Sequence, residues 1–301
     1  MIKTVKKLIA FILVATIAIS SFNGMIVKAE ETEYQWSFME TQSGDYLYKK
    51  DEGKKVASIE KYNGKEKNVV IPKEIDGYTV VRVRGFVSNP YIKSVTLPST
   101  VKVIGCSAFQ NCKNLSSVKL NNGLEKIEES AFFLCPKLRT LTIPKSVKEI
   151  ERWAIGFYQE PYDKEFICYK DFILKCYKGS AAEKYAHSSF NYSHVLCKLI
   201  GYKNTPAKVK LNSVKKDKKT DLTVVSWKKA KNASGYTILY SNSKDFSNDT
   251  SSFDVSGKNV TSKKMWFASK KTYYVKVAAF RKIGSKKYYG DFSSVKKIKT
   301  K

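Results

Sequence analysis

Val95–Ser117 reads VTLPSTVKVIGCSAFQNCKNLSS, and Val118–Thr140 reads VKLNNGLEKIEESAFFLCPKLRT. Laid one over the other, Val95, Leu97, Val101, Ile104, Ala108, Phe109, Cys112 and Leu115 recur as Val118, Leu120, Leu124, Ile127, Ala131, Phe132, Cys135 and Leu138. Both stretches are 23 residues long. A fixed period of about 20 to 50 residues marks units too small to bury their own apolar face, which become stable only by stacking on their neighbours.

Outward from this pair the pattern continues in both directions. A third unit begins at Leu141 with Ile143, Pro144, Val147, Ile150 and Ala154, then leaves register after Phe157. A longer unit precedes the pair, with Val69, Ile71, Pro72, Ile75, the loop Asp76-Gly77-Tyr78, and Val80. About four units are recognisable. The alternation Val-x-Leu or Leu-x-Ile predicts one short strand per unit, ended by Pro or Asn. Stacked units then form parallel rungs about 4.8 Å apart, with Phe109 over Phe132 in an apolar column. A naked end rung exposes unpaired backbone, so caps are expected. Tyr34–Lys67, strand-like at Tyr46–Tyr48 and Val56–Tyr62, reads as the first cap. Phe166–Tyr177 reads as a strand pair, and Ser180-Ala-Ala-Glu183 as a capping box opening a closing helix through Ala186.

Composition agrees with a folded, exported chain. Of 301 residues, 43% are hydrophobic, and 55 Lys plus Arg against 27 Asp plus Glu give a formal charge of +28. This excludes a disordered tail and a multi-span membrane protein. Lys3, Lys6 and Lys7 precede the apolar run Leu8–Ile19, and Val27-Lys28-Ala29 is a small-residue cleavage site. That is the form of a secretory signal peptide over residues 1–29, and the run is too short for a permanent span of about 20 residues. From Lys203 to Lys301 there are 25 Lys plus Arg against 6 Asp plus Glu, a net +19. The break near Thr205-Pro206 therefore reads as a boundary between residues 30–200 and 203–301.

The second segment shows short strands at regular spacing. Thr223, Val225 and Trp227 alternate, as do Tyr236, Ile238 and Tyr240, and again Tyr273, Val275, Val277 and Ala279. Each set is expected to face a core. The predicted fold class is thus mainly β, a short repeat solenoid followed by a β-sandwich.

The repeat, with x-Val-x-Leu-Pro near its start and Ala-Phe-x-x-Cys-x-x-Leu near its end, resembles the leucine-rich repeats of the BspA type over roughly Gln35–Phe190. Ile75-Asp-Gly-Tyr78 and Gly179–Ala186 look like entry and exit segments of that family. The resemblance implies a bacterial surface or secreted protein, in some relatives an adhesin. Pro206–Lys301, with Trp227 early and Phe267 shortly before Tyr273, resembles a fibronectin type III domain, which implies an immunoglobulin-like sandwich and a corner role for Tyr273. No Arg-Gly-Asp occurs.

Chemistry-bearing residues are few. His187 and His194 are the only imidazoles, and Cys197 lies close enough in sequence to His194 for a Cys-His nucleophile to be weighed. No orienting partner accompanies them, so no catalytic residue, cofactor or metal is expected. Cys112 and Cys135 share a column and read as packed thiols, a disulfide being the other reading. Cys168 and Cys176 flank a turn at Asp171-Phe172, which admits either a disulfide across a hairpin or two thiols. Cys106, standing where the next unit has Glu129, is expected to be exposed.

The lysines form the sharper pattern. Clusters fall at Lys215, Lys216, Lys218 and Lys219; at Lys228, Lys229 and Lys231; at Lys263, Lys264, Lys270 and Lys271; and at Arg281, Lys282, Lys286 and Lys287. Alternating strands place these on outer faces and loops, where one-signed charge draws polyanions. The alternative is that lysine only confers solubility. Expected partners are a protein or glycan on the repeat surface and an anionic cell-wall polymer or acidic host glycan on the basic segment, with retention by non-covalent contacts after export. The rival class is a secreted hydrolase or enzyme accessory protein whose site the sequence hides.

Overall fold

A computed structural model describes residues 34–159, 166–188, 195–246 and 249–300. The leader features from Lys3 to Ala29 and His194 lie outside the described residues. Gln35–Lys301 forms one compact unit.

Each repeat builds two short strands. Asn68–Val70, Ser94–Thr96 and Ser117–Lys119 pair in parallel, with Val69, Val95 and Val118 in register. The N–H groups of Val101, Leu124 and Val147 donate to the carbonyls of Pro98, Asn121 and Pro144, each at 3.3 Å, in the turn after the strand. A second ladder follows, in which Val103–Ile104, Lys126–Ile127 and Glu149–Ile150 pair in parallel. The sequence reading placed only the first strand. A two-residue strand has a single inward side chain, so it carries no alternation to read. Beyond it Ser107, Ser130 and Trp153 stand at φ 56°, 57° and 50°. This left-handed bend recurs once per repeat because the ladders on both sides hold it.

The column inside is continuous. Tyr62 stacks on Phe86 at 4.9 Å, Phe86 on Phe109 at 5.0 Å, and Phe109 on Phe132 at 5.3 Å. Their amides form a ladder of their own: Phe86, Phe109 and Phe132 donate to the carbonyls of Ala108, Ala131 and Ala154. Cys112 and Cys135 are packed thiols, each donating to the preceding rung's Phe carbonyl, at 3.0 Å to Phe86 and 3.1 Å to Phe109. Burial pushes the Cys112 thiol up to about 11 and raises Cys135 as well, which keeps both uncharged.

Among the described residues the first-strand side has six rungs, two more than the sequence suggested, paired as two parallel sets of three. Thr140–Thr142 pairs with Ile173–Cys176, and that strand with Leu196–Leu199. The fifth rung escapes notice because 33 residues separate Thr140 from its register partner Ile173; the sixth returns to the 23-residue step, Ile173 to Leu196, but the unit between them lacks the Ala-Phe-x-x-Cys signature. The expected Phe166–Tyr177 strand pair does not form. Phe166–Cys168 pairs instead with Phe157–Gln159, while Ile173–Cys176 is drawn into the rungs by parallel pairing on both edges. Cys168 and Cys176 are therefore not joined; Cys168 Sγ donates to the Tyr169 carbonyl at 3.5 Å, and Cys176 Sγ lies 2.7 Å from Cys197 Sγ.

The caps differ in kind. At the first end Thr41–Ser43, Tyr46–Asp51 and Val56–Tyr62 run antiparallel, and the last pairs in parallel with Tyr78–Val83. At the other end the helix Ala181–Ala186 is capped as predicted, with Ser180 Oγ accepting from the Glu183 N–H and Glu183 accepting from the Gly179 N–H. Its Tyr185 hydroxyl accepts from Ile155 N–H at 2.9 Å and donates to Ile155 C=O at 3.1 Å. One side chain thus replaces the missing rung. The helix closes only this edge, however. On the other edge the ladder continues into the C-terminal segment, where Cys197 is in register with Tyr288 of the strand Lys286–Tyr289.

In that segment Leu211–Lys216, Thr223–Trp227 and Ser262–Met265 form one antiparallel sheet. Gly235–Ser241, Ser251–Ser256, Thr272–Ile283, Lys286–Tyr289 and Lys296–Lys299 form the other. Trp227, Tyr236, Ile238, Val275, Val277 and Ala279 share the core between them. The Tyr273 hydroxyl accepts from the Ala268 N–H at 3.2 Å. The junction with the rungs is built as an interior: Tyr288 belongs to the solenoid core and its hydroxyl donates to Glu183. Asp171, 2% exposed, binds Arg139 and Lys276, each at 2.8 Å.

Tyr185→Phe keeps the ring and removes both bonds to Ile155. It should lower the unfolding free energy by about 1–3 kcal/mol, the cost of stranding buried backbone groups. Urea unfolding of the mature protein measures this, and an unchanged midpoint contradicts the capping role.

Candidate functional site

Of the Cys-His pair weighed from the sequence, Cys197 lies within the described residues and His194 does not. His187 places Nδ1 3.0 Å from the Glu183 carbonyl and Nε2 3.3 Å from the Lys287 carbonyl. A crevice of about 440 Å³ is lined by His187, Val195, Leu196, Ser285, Lys286, Lys287 and Tyr289, without Cys197. Cys197 is fully buried beside Cys176, which withholds its sulfur from any substrate. Among the described residues no three His, Cys, Asp or Glu side chains gather in a way that could hold a metal.

The two ladders of the solenoid present different outer faces. On the second-strand side Arg82 binds Glu128 at 2.5 Å, Lys126 binds Glu149 and Glu151 at 3.2 and 2.8 Å, and Glu125 binds Lys102 and Lys148 at 3.4 and 2.7 Å. Rung stacking brings opposite charges together, so this face neutralises itself. The first-strand side carries Val70, Thr96 and Lys119 in one register row, and Asn68, Ser94 and Ser117 in another. Val70 is 70% exposed there.

The predicted cations fall on several elements of the C-terminal segment. Lys228, Lys229 and Lys231 follow the Thr223–Trp227 strand, and Lys270 and Lys271 lie in the turn before Thr272. Lys263 lies on Ser262–Met265 over the Phe253 ring, and Lys264 beside it binds Asp217 at 2.8 Å. That bond, with backbone N–H donors, holds the Asp217 carboxyl down at about 2. Lys218 and Lys219 occupy the adjoining turn. Arg281, Lys282, Lys286 and Lys287 sit on the hairpin that meets the solenoid, where Lys287 binds Asp254.

Lys215 and Lys216 line a second groove, of about 670 Å³, bordered by the strands Leu211–Lys216 and Lys296–Lys299. Lys297 and Lys299 enter it from the opposite wall, and Trp266 and Phe267 complete it. Its single carboxylate, Asp221, binds Lys216 at 3.0 Å. Trp266 is 70% exposed, whereas its neighbours Met265 and Phe267 are buried. The chain continues the alternation of Ser262–Met265 past the strand's end: Phe267 stacks on Tyr273 at 4.5 Å, and Trp266 between the two buried residues is left outside. Lys297, Lys299 and Trp266 were missed from the sequence. Lys-Lys-Ile-Lys at 296–299 and Met-Trp-Phe at 265–267 are the signals that mark them.

Residues 79–166 match the BspA type leucine rich repeat region in six copies. Among solved structures, the T. pallidum leucine-rich repeat protein is similar at 32% identity over 41% of this chain and 56% of that one, with a TM-score of 0.35. A leucine-rich repeat protein from Bacteroides capillosus ATCC 29799 is similar at 30% identity, covering 38% and 88%, with a TM-score of 0.34. A leucine rich cell surface protein from Faecalibacterium prausnitzii A2-165 is similar at 21% identity, covering 55% and 50%, with a TM-score of 0.35. The chain thus spans about half the length of the T. pallidum and F. prausnitzii proteins. No curated protein matches the sequence.

Two tryptophans should respond oppositely to truncation. Trp227→Ala empties a fully buried site and should cost about 3–5 kcal/mol. Trp266→Ala removes an exposed ring and should stay within about 0.5 kcal/mol of the parent. Chemical unfolding of both variants decides whether Trp266 serves the core or the surface.

Proposed function

We propose that the chain, whose residues 79–166 match the BspA type leucine rich repeat region, is an exported, non-catalytic, surface-associated binding protein. In this reading residues 1–29 are a cleaved leader, and no described helix is long and apolar enough to cross a membrane. Residues 30–200 present the first-strand face of the rungs to a protein or glycan. The second-strand face, with its charges already paired, is the poorer candidate for a charged ligand. Residues 203–301 are a fibronectin type III-like sandwich that holds the protein to an anionic polymer of the cell wall or of a host surface. The three-stranded and larger antiparallel sheets, and the Tyr273 hydroxyl bonded to backbone upstream, support the sandwich reading.

The observation that carries the anionic partner is the groove lined by Lys215, Lys216, Lys297 and Lys299, with Asp221 its single carboxylate. Lys215, Lys297 and Lys299 have no ion-pair partner among the described residues. Lysines so placed add attraction without losing it to internal pairs.

Each lysine near an anionic surface contributes about 1 kcal/mol, so replacing Lys215, Lys297 and Lys299 together by Ala should weaken polyanion binding by about 150-fold. Raising the salt from about 0.05 to 0.5 M should release the parent as well, because screening shortens the reach of exposed charges. Retention of the mature protein on immobilised heparin measures both. Binding that ignores salt and the triple substitution rejects the electrostatic mechanism.

A further inference from the structure

We propose that the groove is a site for an acidic polysaccharide, with Trp266 stacking on the face of a sugar ring and the surrounding lysines holding its carboxylate or sulfate groups. This rests on the reading of the groove as a polyanion site and goes further by naming the ligand's chemistry. Lysines alone recognise charge, and any polyanion would satisfy them. An indole held out to solvent beside them recognises something flat and apolar as well, since exposing it forgoes the burial that aromatic surface ordinarily obtains. A pyranose bearing an acid group supplies both within one residue: a C–H face for the ring, and an anion at its edge.

The other common polyanions fit less well. Single-stranded nucleic acid is held by successive stacking platforms along a strand, and the groove offers one exposed aromatic ring. Its cations are all lysine, which binds as a point charge and lacks the planar fork that reads phosphate bidentately. A poly(alditol phosphate) has no ring face to lay on the indole. The volume of about 670 Å³ lies within the range of clefts that hold small ligands or short polymer segments.

The test compares the mature parent, Trp266→Ala and Trp266→Phe by titration with polygalacturonate, dextran sulfate, neutral dextran, polyphosphate and oligo-dT at one salt concentration. Trp266→Ala should lose about tenfold in affinity for polygalacturonate or dextran sulfate, the scale of one aromatic contact, and less than about twofold for polyphosphate. Trp266→Phe should recover most of the loss, and neutral dextran should not bind. The stronger of the two acidic polysaccharides identifies the anionic group as carboxylate or sulfate. Equal, Trp266-independent binding of every polyanion overturns this inference while the electrostatic reading stands. A Trp266-dependent preference for oligo-dT overturns it in favour of nucleic acid. If no polyanion binds, both fall.

A separate observation carries a second inference. Cys176 and Cys197, on adjacent parallel strands and both fully buried, place their sulfurs 2.7 Å apart, closer than unbonded sulfurs settle. From this we infer that the exported protein carries a Cys176–Cys197 disulfide. It forms by exchange with an external disulfide, small-molecule or enzyme-borne. One cysteine thiolate attacks that bond and releases a thiol, and the second attacks the mixed disulfide and releases the other. The oxidant's S–S bond is thereby reduced to two thiols, which take up the two protons. Because both sulfurs are buried in the finished fold, the exchange belongs to folding, before these rungs close. The bond would tie the last two rungs together where the Lys286–Tyr289 strand docks.

Refolding the mature chain in a glutathione redox buffer, then alkylating it in denaturant, reads the outcome. Two of the six cysteines should resist alkylation, and digestion should yield one linked peptide pair containing Cys176 and Cys197. Cys168→Ser should leave that pair intact. Full alkylation of all six, or a link through Cys168, overturns the assignment.

Discussion

The structure depends on placing like on like at every rung. Phe86, Phe109 and Phe132 stack at 5.0 and 5.3 Å, and the amide of each donates to the rung above. Neither part is stable alone. A single rung buries one side of its ring and leaves its N–H and C=O groups unpaired, while the stack buries both faces and pairs both edges. A small residue precedes each Phe, Gly85, Ala108 or Ala131, which leaves room for the ring at that spacing. Cys112 and Cys135, three residues after Phe109 and Phe132, donate their thiols to the preceding rung's carbonyl, which is why these cysteines serve as packing groups rather than cross-links.

A stack held by neighbours has an end problem, and the chain meets it with different means. The N-terminal strands turn antiparallel, so that the last of them can pair in parallel with the first rung. At the far end one edge is closed by a single hydroxyl, that of Tyr185, bonded to both backbone groups of Ile155. The other edge is handed to the C-terminal segment, whose Lys286–Tyr289 strand acts as a further rung. Tyr288 then lies in the solenoid core, and Asp171 binds Lys276 across the junction. Breaking such a buried ion cluster on one side leaves an uncompensated charge, so it holds the two segments in one arrangement. The basic segment is therefore a structural cap as well as a carrier of charge.

Charge follows the same logic of neighbours. On the rungs, stacking brings Lys126 between Glu149 and Glu151, and Glu125 between Lys102 and Lys148, so cations are consumed within the fold. In the C-terminal segment acids are few, and strand alternation sends the lysines outward with little to meet them. The groove beside Trp266 is where two edge strands bring such lysines to one cavity. The surplus of positive charge was visible as composition. Its concentration at that groove arises from the approach of Leu211–Lys216 to Lys296–Lys299.

The amino-acid sequence by itself determined whatever repeats or alternates. The 23-residue match fixes the rungs, the Phe and Cys columns and the inward faces, and the Ser180-to-Glu183 spacing fixes the helix start, because each is a local pattern that one face of an element enforces. Tertiary structure alone decided the fifth and sixth rungs, the pairing of Cys176 with Cys197 instead of Cys168, the Tyr185 cap and the docking of Lys286–Tyr289. Each of these joins residues whose partners are set by which edge of a ladder remains unpaired. That is a property of the assembled stack, and no window of the chain contains it.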